Sequence, residues 1–181
     1  IEKGVAISPD GNTAYIASHT SGITVVDISN KASPSSVRNY TNSSQFHAGK
    51  VIISADGNTL FALNVKLASE KLAIFDISNN NLALNYTFAV DDPEDFILSA
   101  DGNTAFVADG DSGLKIIDVS NLSSPSLTGT YDTSGNANGV TLSADGNTAF
   151  VADGSHGLDI IDVSNPASPT LIGNFDTSSL A

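Results

Sequence analysis

Four carboxylates stand within five residues at Asp91, Asp92, Glu94 and Asp95, and two more follow at Asp109 and Asp111. Carboxylates this crowded repel one another unless water solvates them or a cation bridges them, and hard cations such as Ca²⁺ take oxygen ligands. Residues 109–113 also read Asp-x-Asp-x-Gly, a fragment of a calcium loop that occurs nowhere else in the chain. These six residues are the candidate metal ligands, with Ca²⁺ as the candidate ion. A solvated acidic loop is the simpler reading of the same residues.

Other residue types with chemical potential are fewer. Gly110-Asp111-Ser112-Gly113 imitates the nucleophile loop of a serine hydrolase. Such a serine needs a base oriented on it, and the spacing supplies none, so no catalytic residue is assigned. The three histidines, His19, His47 and His156, are the candidates for a softer transition metal. They fall in different copies of a repeat, which argues against their convergence. The chain has no Cys, so neither a disulfide framework nor a thiolate metal site exists.

The elements that must position these groups are set by repetition. Asp-Gly-Asn-Thr opens at Asp10, Asp56, Asp101 and Asp145, at intervals of 46, 45 and 44 residues. A period of that length marks a repeat architecture in which no unit buries its own apolar surface. Within one copy, Gly139-Val140-Thr141-Leu142 alternates, an Asp-Gly turn intervenes, and Ala149-Phe150-Val151-Ala152 follows, a strong hairpin signal. A second turn leads into Leu158-Asp159-Ile160-Ile161-Asp162-Val163. Then Ser164-Asn165-Pro166-Ala167-Ser168-Pro169 forms a loop before Thr170-Leu171-Ile172. Turns this short cannot make parallel crossovers, so each copy is a four-stranded antiparallel meander.

The third strand carries apolar residues on both faces, as in Ile116, Ile117 and Val119, which predicts burial on both sides. Small antiparallel sheets covered by copies of themselves are propeller blades. The fold class is therefore all-β: four tandem β-propeller blades over residues 1–44, 45–89, 90–133 and 134–181, in one region. The recurring Asp27, Asp76, Asp118 and Asp162 read as turn devices and not as a catalytic ring. In a meander the near-constant turns share one rim and the variable loops share the other, where binding residues tend to sit. Copy two departs, with three extra residues in its second turn (64–71) and no Pro in its third loop. Its geometry is expected to be irregular there.

Leu114-Lys115-Ile116-Ile117-Asp118-Val119-Ser120-Asn121 and Leu158-Asp159-Ile160-Ile161-Asp162-Val163-Ser164-Asn165-Pro166 resemble the LVIVD-repeat β-propellers. Ile23-Thr24-Val25-Val26-Asp27-Ile28-Ser29-Asn30 matches less closely, and Ser8-Pro9-Asp10-Gly11 is similar to the related YVTN-type repeats. The resemblance implies a secreted or cell-surface bacterial or archaeal protein with a binding or scaffold role and no shared catalytic residues. It also implies that six to eight blades are ordinary.

With 20 acidic and 7 basic residues, the net charge of −13 disfavours nucleic acid and anionic membrane surfaces as partners. No apolar run is long enough to span a bilayer as a helix. The chain lacks Met, opens at Ile1, and begins and ends at nearly the same repeat phase. The expectation is a missing remainder or a partner chain, with exposed end-blade faces binding protein or further blades. A non-enzymatic extracellular or cell-surface scaffold is the leading function. A structural subunit of a filament or lattice, and a propeller hydrolase with a rim active site, are the alternatives. Acceptor sequences of the form Asn-x-Ser/Thr stand at Asn39, Asn42, Asn85 and Asn121, in a chain rich enough in these residues for chance to produce most of them.

Overall fold

A computed structural model describes residues 4–19, 21–40, 46–65 and 70–177. Asn42 and residues 66–69 of the lengthened turn of copy two lie outside these described residues. The chain divides into two compact units, Ile1–Ala89 and Val90–Ala181.

The first unit holds two sheets. One comprises β1 (Gly4–Ile7), β2 (Thr13–Ala17), β3 (Ile23–Asp27) and β4 (Ser35–Tyr40). The other comprises β5 (Ala48–Ile53), β6 (Thr59–Asn64), β7 (Lys71–Asp76) and β8 (Ala83–Ala89). The second unit repeats the plan with β9 (Asp95–Leu98), β10 (Thr104–Ala108), β11 (Leu114–Asp118) and β12 (Ser126–Tyr131). Its last sheet is β13 (Gly139–Leu142), β14 (Thr148–Ala152), β15 (Leu158–Asp162) and β16 (Thr170–Phe175). Strand order follows chain order in all four sheets and every pairing is antiparallel. These are the four meanders expected from the sequence.

The turns show why the tetrapeptide recurs. Asp10 accepts hydrogen bonds from Ser8 Oγ and the Asn12 N–H, while Ser8 Oγ accepts from the Thr13 N–H at 2.9 Å. Gly11 sits at φ 72°, where a side chain is strained. The same contacts close the turns at Asp56, Asp101 and Asp145. At the end of each third strand, Asp27, Asp76, Asp118 and Asp162 accept the N–H of the serine two residues on. All eight carboxylates are thus occupied within their own turns.

That arrangement has a pH consequence. Serine hydroxyls first, then the N–H of Asn12 and its counterparts, hold the first four carboxyls below the ordinary carboxylate range. The serine two residues on does the same for the second four. A carboxyl depressed in the folded state contributes stability that is present above its unfolded value and lost as pH falls through the folded one. A melting temperature that is level above about pH 5 and declines below about pH 4 is therefore expected. Thermal melts across that range check it; an undiminished melting temperature at about pH 2.5 would contradict it.

Packing between sheets follows one rule in both units. In the first, Tyr15, Ala17, Ile23 and Val25 lie in one cluster with Val51, Leu60, Ala62 and Phe75 of the second sheet and with Ile77 just past its third strand. Edge-on rings reinforce it, with Tyr40 and Phe75 centroids 4.7 Å apart and Phe46 and Phe75 5.7 Å apart. In the second unit, Phe106, Ala108, Leu114 and Ile116 occupy the repeat positions of Tyr15, Ala17, Ile23 and Val25. They join Val140, Ala149, Val151 and Ile161. Within each unit, one face of the first sheet thus meets the opposite face of the second. The first strands approach each other, β1 beside β5 and β9 beside β13. A bulge in every third-to-fourth strand pairing, at Val25/Val26, Ile74/Phe75, Ile116/Ile117 and Ile160/Ile161, bends the outer strand. Such bulges protect an edge from pairing with another chain.

Copy two is irregular where expected. Its third loop, without Pro, makes a 3₁₀ turn at Ser78–Asn80 with Asn79 at φ 53°. Asn tolerates that left-handed backbone.

Candidate functional site

Antiparallel order places the second turn of each sheet at the same rim as the connection entering it. A polar residue at the end of the second strand or just past it ties the two together. Asn64 Oδ1 accepts the His47 N–H at 2.7 Å. Asp109 accepts the N–H groups of Asp91 and Asp92, and Asp153 accepts that of Gly135. All three side chains are buried. In copy one the position is Ser18, whose hydroxyl meets that of Thr24 at 3.1 Å.

The partner of this residue on the third strand differs in every copy. Thr24, Ala73, Lys115 and Asp159 occupy the equivalent places, with Ala73 opposite Ala62, Lys115 opposite Val107 and Asp159 opposite Val151. In copy three the Lys115 ammonium bridges the buried Asp109 and the exposed Asp91. Burial alone would lower the Lys115 pKa. Hydrogen bonds and charge from Asp109 and Asp91 outweigh burial and raise it. Asp91 is held below the ordinary range, first by the Lys115 hydrogen bond and then by Ser112. In copy four no lysine serves. Asp159 accepts Asn174 Nδ2 at 2.7 Å, and burial together with Asp159 and Asp153 pushes the nearby Tyr131 hydroxyl up.

The six candidate metal ligands are not brought together as a cation site. Asp91 and Asp109 share the Lys115 ammonium, which fills the place a bridging cation would take. Asp95 accepts the Val140 N–H of the next sheet at 3.2 Å. Asp92, Glu94 and Asp111 are exposed, while Pro93 between them is buried. Among the described residues no group of three or more His, Asp or Glu side chains is arranged to hold a metal. The crowding in sequence is met at Asp91 and Asp109 by an internal cation, the Lys115 ammonium. Ser112 donates its hydroxyl to Asp91 Oδ2 at 3.0 Å within an ordinary hairpin.

The histidines reverse the expectation that separate copies keep them apart. His19 and His47, from copies one and two, have ring centroids 4.9 Å apart. Sequence spacing carries no signal for this contact, because it depends on how one sheet staggers against the next. His156 lies by Gly135, where an added Cβ would stand 2.5 Å from its Nδ1.

Comparisons with known proteins fit this geometry. The family model described as the LVIVD repeat matches residues 3–42, 97–133 and 134–177, leaving out the irregular second copy. No curated protein matches the chain. Among solved structures, a protein from Lactobacillus plantarum is similar with a TM-score of 0.81 at 19% identity, covering 97% of this chain and 57% of that one. The periplasmic gluconolactonase of Pseudomonas aeruginosa is similar with a TM-score of 0.78 at 19% identity, over 96% of this chain and 56% of its own. The Cps50 (Swd1) β-propeller domain of Myceliophteria thermophila gives 0.76 at 18%, over 95% and 60%. At these identities the likeness is one of fold. The chain spans little more than half the length of the solved structures it matches.

Proposed function

The chain belongs to the LVIVD repeat family of β-propeller proteins, and on that premise we propose that it is a non-enzymatic scaffold whose first and fourth sheets take further blades, in an extracellular or cell-surface protein. One observation carries the reading. Val5 and Ile7 in the first sheet are 61% and 48% exposed, whereas Val140, at the Val5 position in the fourth sheet, is 7% exposed beneath the third. On the fourth sheet, Phe150 and Ile160 are half-exposed where Phe106 and Ile116 of the third sheet are buried. Apolar faces of this kind mark interaction sites.

The two faces differ, so a contact between them is heterologous and joins copies head to tail into a ring or a filament. The half-length coverage of the solved structures supports the need for more blades. The recurring carboxylates support a structural scaffold, since each is consumed in its own turn. Sedimentation over a range of concentrations tests the proposal: mass is expected to rise with concentration for the native chain and to stay monomeric for Val5→Glu. Because Val5 is exposed, that substitution leaves the fold within about 0.5 kcal/mol. A native chain that is monomeric throughout would count against it.

A further inference from the structure

Two imidazoles from different copies of the repeat meet on the variable rim of the first unit, and nothing in the scaffold reading uses them. Their rings are tilted by 40° with centroids 4.9 Å apart, and both side chains are half-buried. The backbone beneath each is fixed. The His19 carbonyl accepts the Ala48 N–H at 3.2 Å, and His19 itself is held at φ 42°. His47 donates its N–H to the buried Asn64 and accepts the Val65 N–H at 2.9 Å.

We propose that His19 and His47 form a binding site for Zn²⁺, with one ring nitrogen from each as ligand. Zn–N bonds of about 2.0–2.1 Å at a tetrahedral angle set two imidazole centroids roughly 5 Å apart, which is the separation seen. Imidazole suits a borderline divalent ion, whereas Ca²⁺ and Mg²⁺ select oxygen. Among the described residues no third His, Asp or Glu completes the set, so water or a donor atom from a bound partner fills the remaining positions.

Isothermal titration of the full chain with Zn²⁺ at neutral pH tests this. The expected result is saturable binding at one site, weakened at least tenfold in His19→Asn and in His47→Gln and unchanged in His156→Gln. Asn at position 19 tolerates the left-handed backbone, and a urea midpoint for each variant separates loss of binding from loss of fold. Ca²⁺ is expected not to compete. No Zn²⁺ binding by the native chain, equal binding by the His19 and His47 variants, or equal competition by Ca²⁺ would overturn the proposal.

Discussion

Lys115→Met is expected to destabilise the chain by about 3–5 kcal/mol, because it leaves the fully buried Asp109 without its cation. The Asp91 half of the bridge contributes little of this. Its side chain is 72% exposed, and exposed pairs are worth about 0–1 kcal/mol. Copy two shows how the same position works without charge: Asn64 carries the tie to the connection and Ala73 stands where Lys115 does. The double variant Asp109→Asn with Lys115→Ala recreates that pair and is expected to recover most of the loss. Urea midpoints of the single and double variants measure both effects. A loss under about 1 kcal/mol in Lys115→Met would place the bridge among ordinary surface pairs.

Gly129→Ala is expected to destabilise by about 1–3 kcal/mol, while Gly173→Ala, at the same position one copy later, is expected to be neutral or slightly stabilising. A Cβ on Gly129 would stand 2.2 Å from the Pro166 carbonyl oxygen, where the third loop of copy four crosses the last strand of copy three. Backbone cannot yield as a side-chain tip can. On Gly173 nothing lies within 4 Å. The pair thus isolates what sheet-on-sheet contact demands from what the strand itself demands. If a further blade seats on the fourth sheet as proposed, Gly173→Ala weakens association while leaving the melting temperature of the monomer intact. Equal destabilisation by the two substitutions would mean that strand geometry, and not the neighbouring sheet, requires glycine.

The fold is legible because its determinants are local and written four times. Asp10, Gly11 and Asn12 make a turn from contacts two residues apart, and the paired apolar residues of Ile116 and Ile117 declare two buried faces. The rim is legible only in outline. Asp109 reads as one more acidic turn residue, since its burial depends on a connection that begins 18 residues earlier. Lys115 reads as the polar member of an alternating strand, yet its ammonium reaches back under the loop. The Asp95 contact to Val140 spans 45 residues, and the His19–His47 contact joins two sheets. Each of these depends on how elements stagger, which a period along the chain does not encode. A column of polar residues at the end of the second strand or directly after it (Ser18, Asn64, Asp109, Asp153) is the signal that could have disclosed the buried tie.

The absence of native cysteines allows the assembly claim to be tested by directed cross-linking. Chains carrying only Val5→Cys and chains carrying only Ile160→Cys, mixed and mildly oxidised, report which faces meet. Head-to-tail seating of the fourth sheet on the first predicts that the mixed disulfide dominates over either homodimer and depends on both faces being present in the tube. No mixed species above what random collision gives, or homodimers in preference to it, would contradict the account.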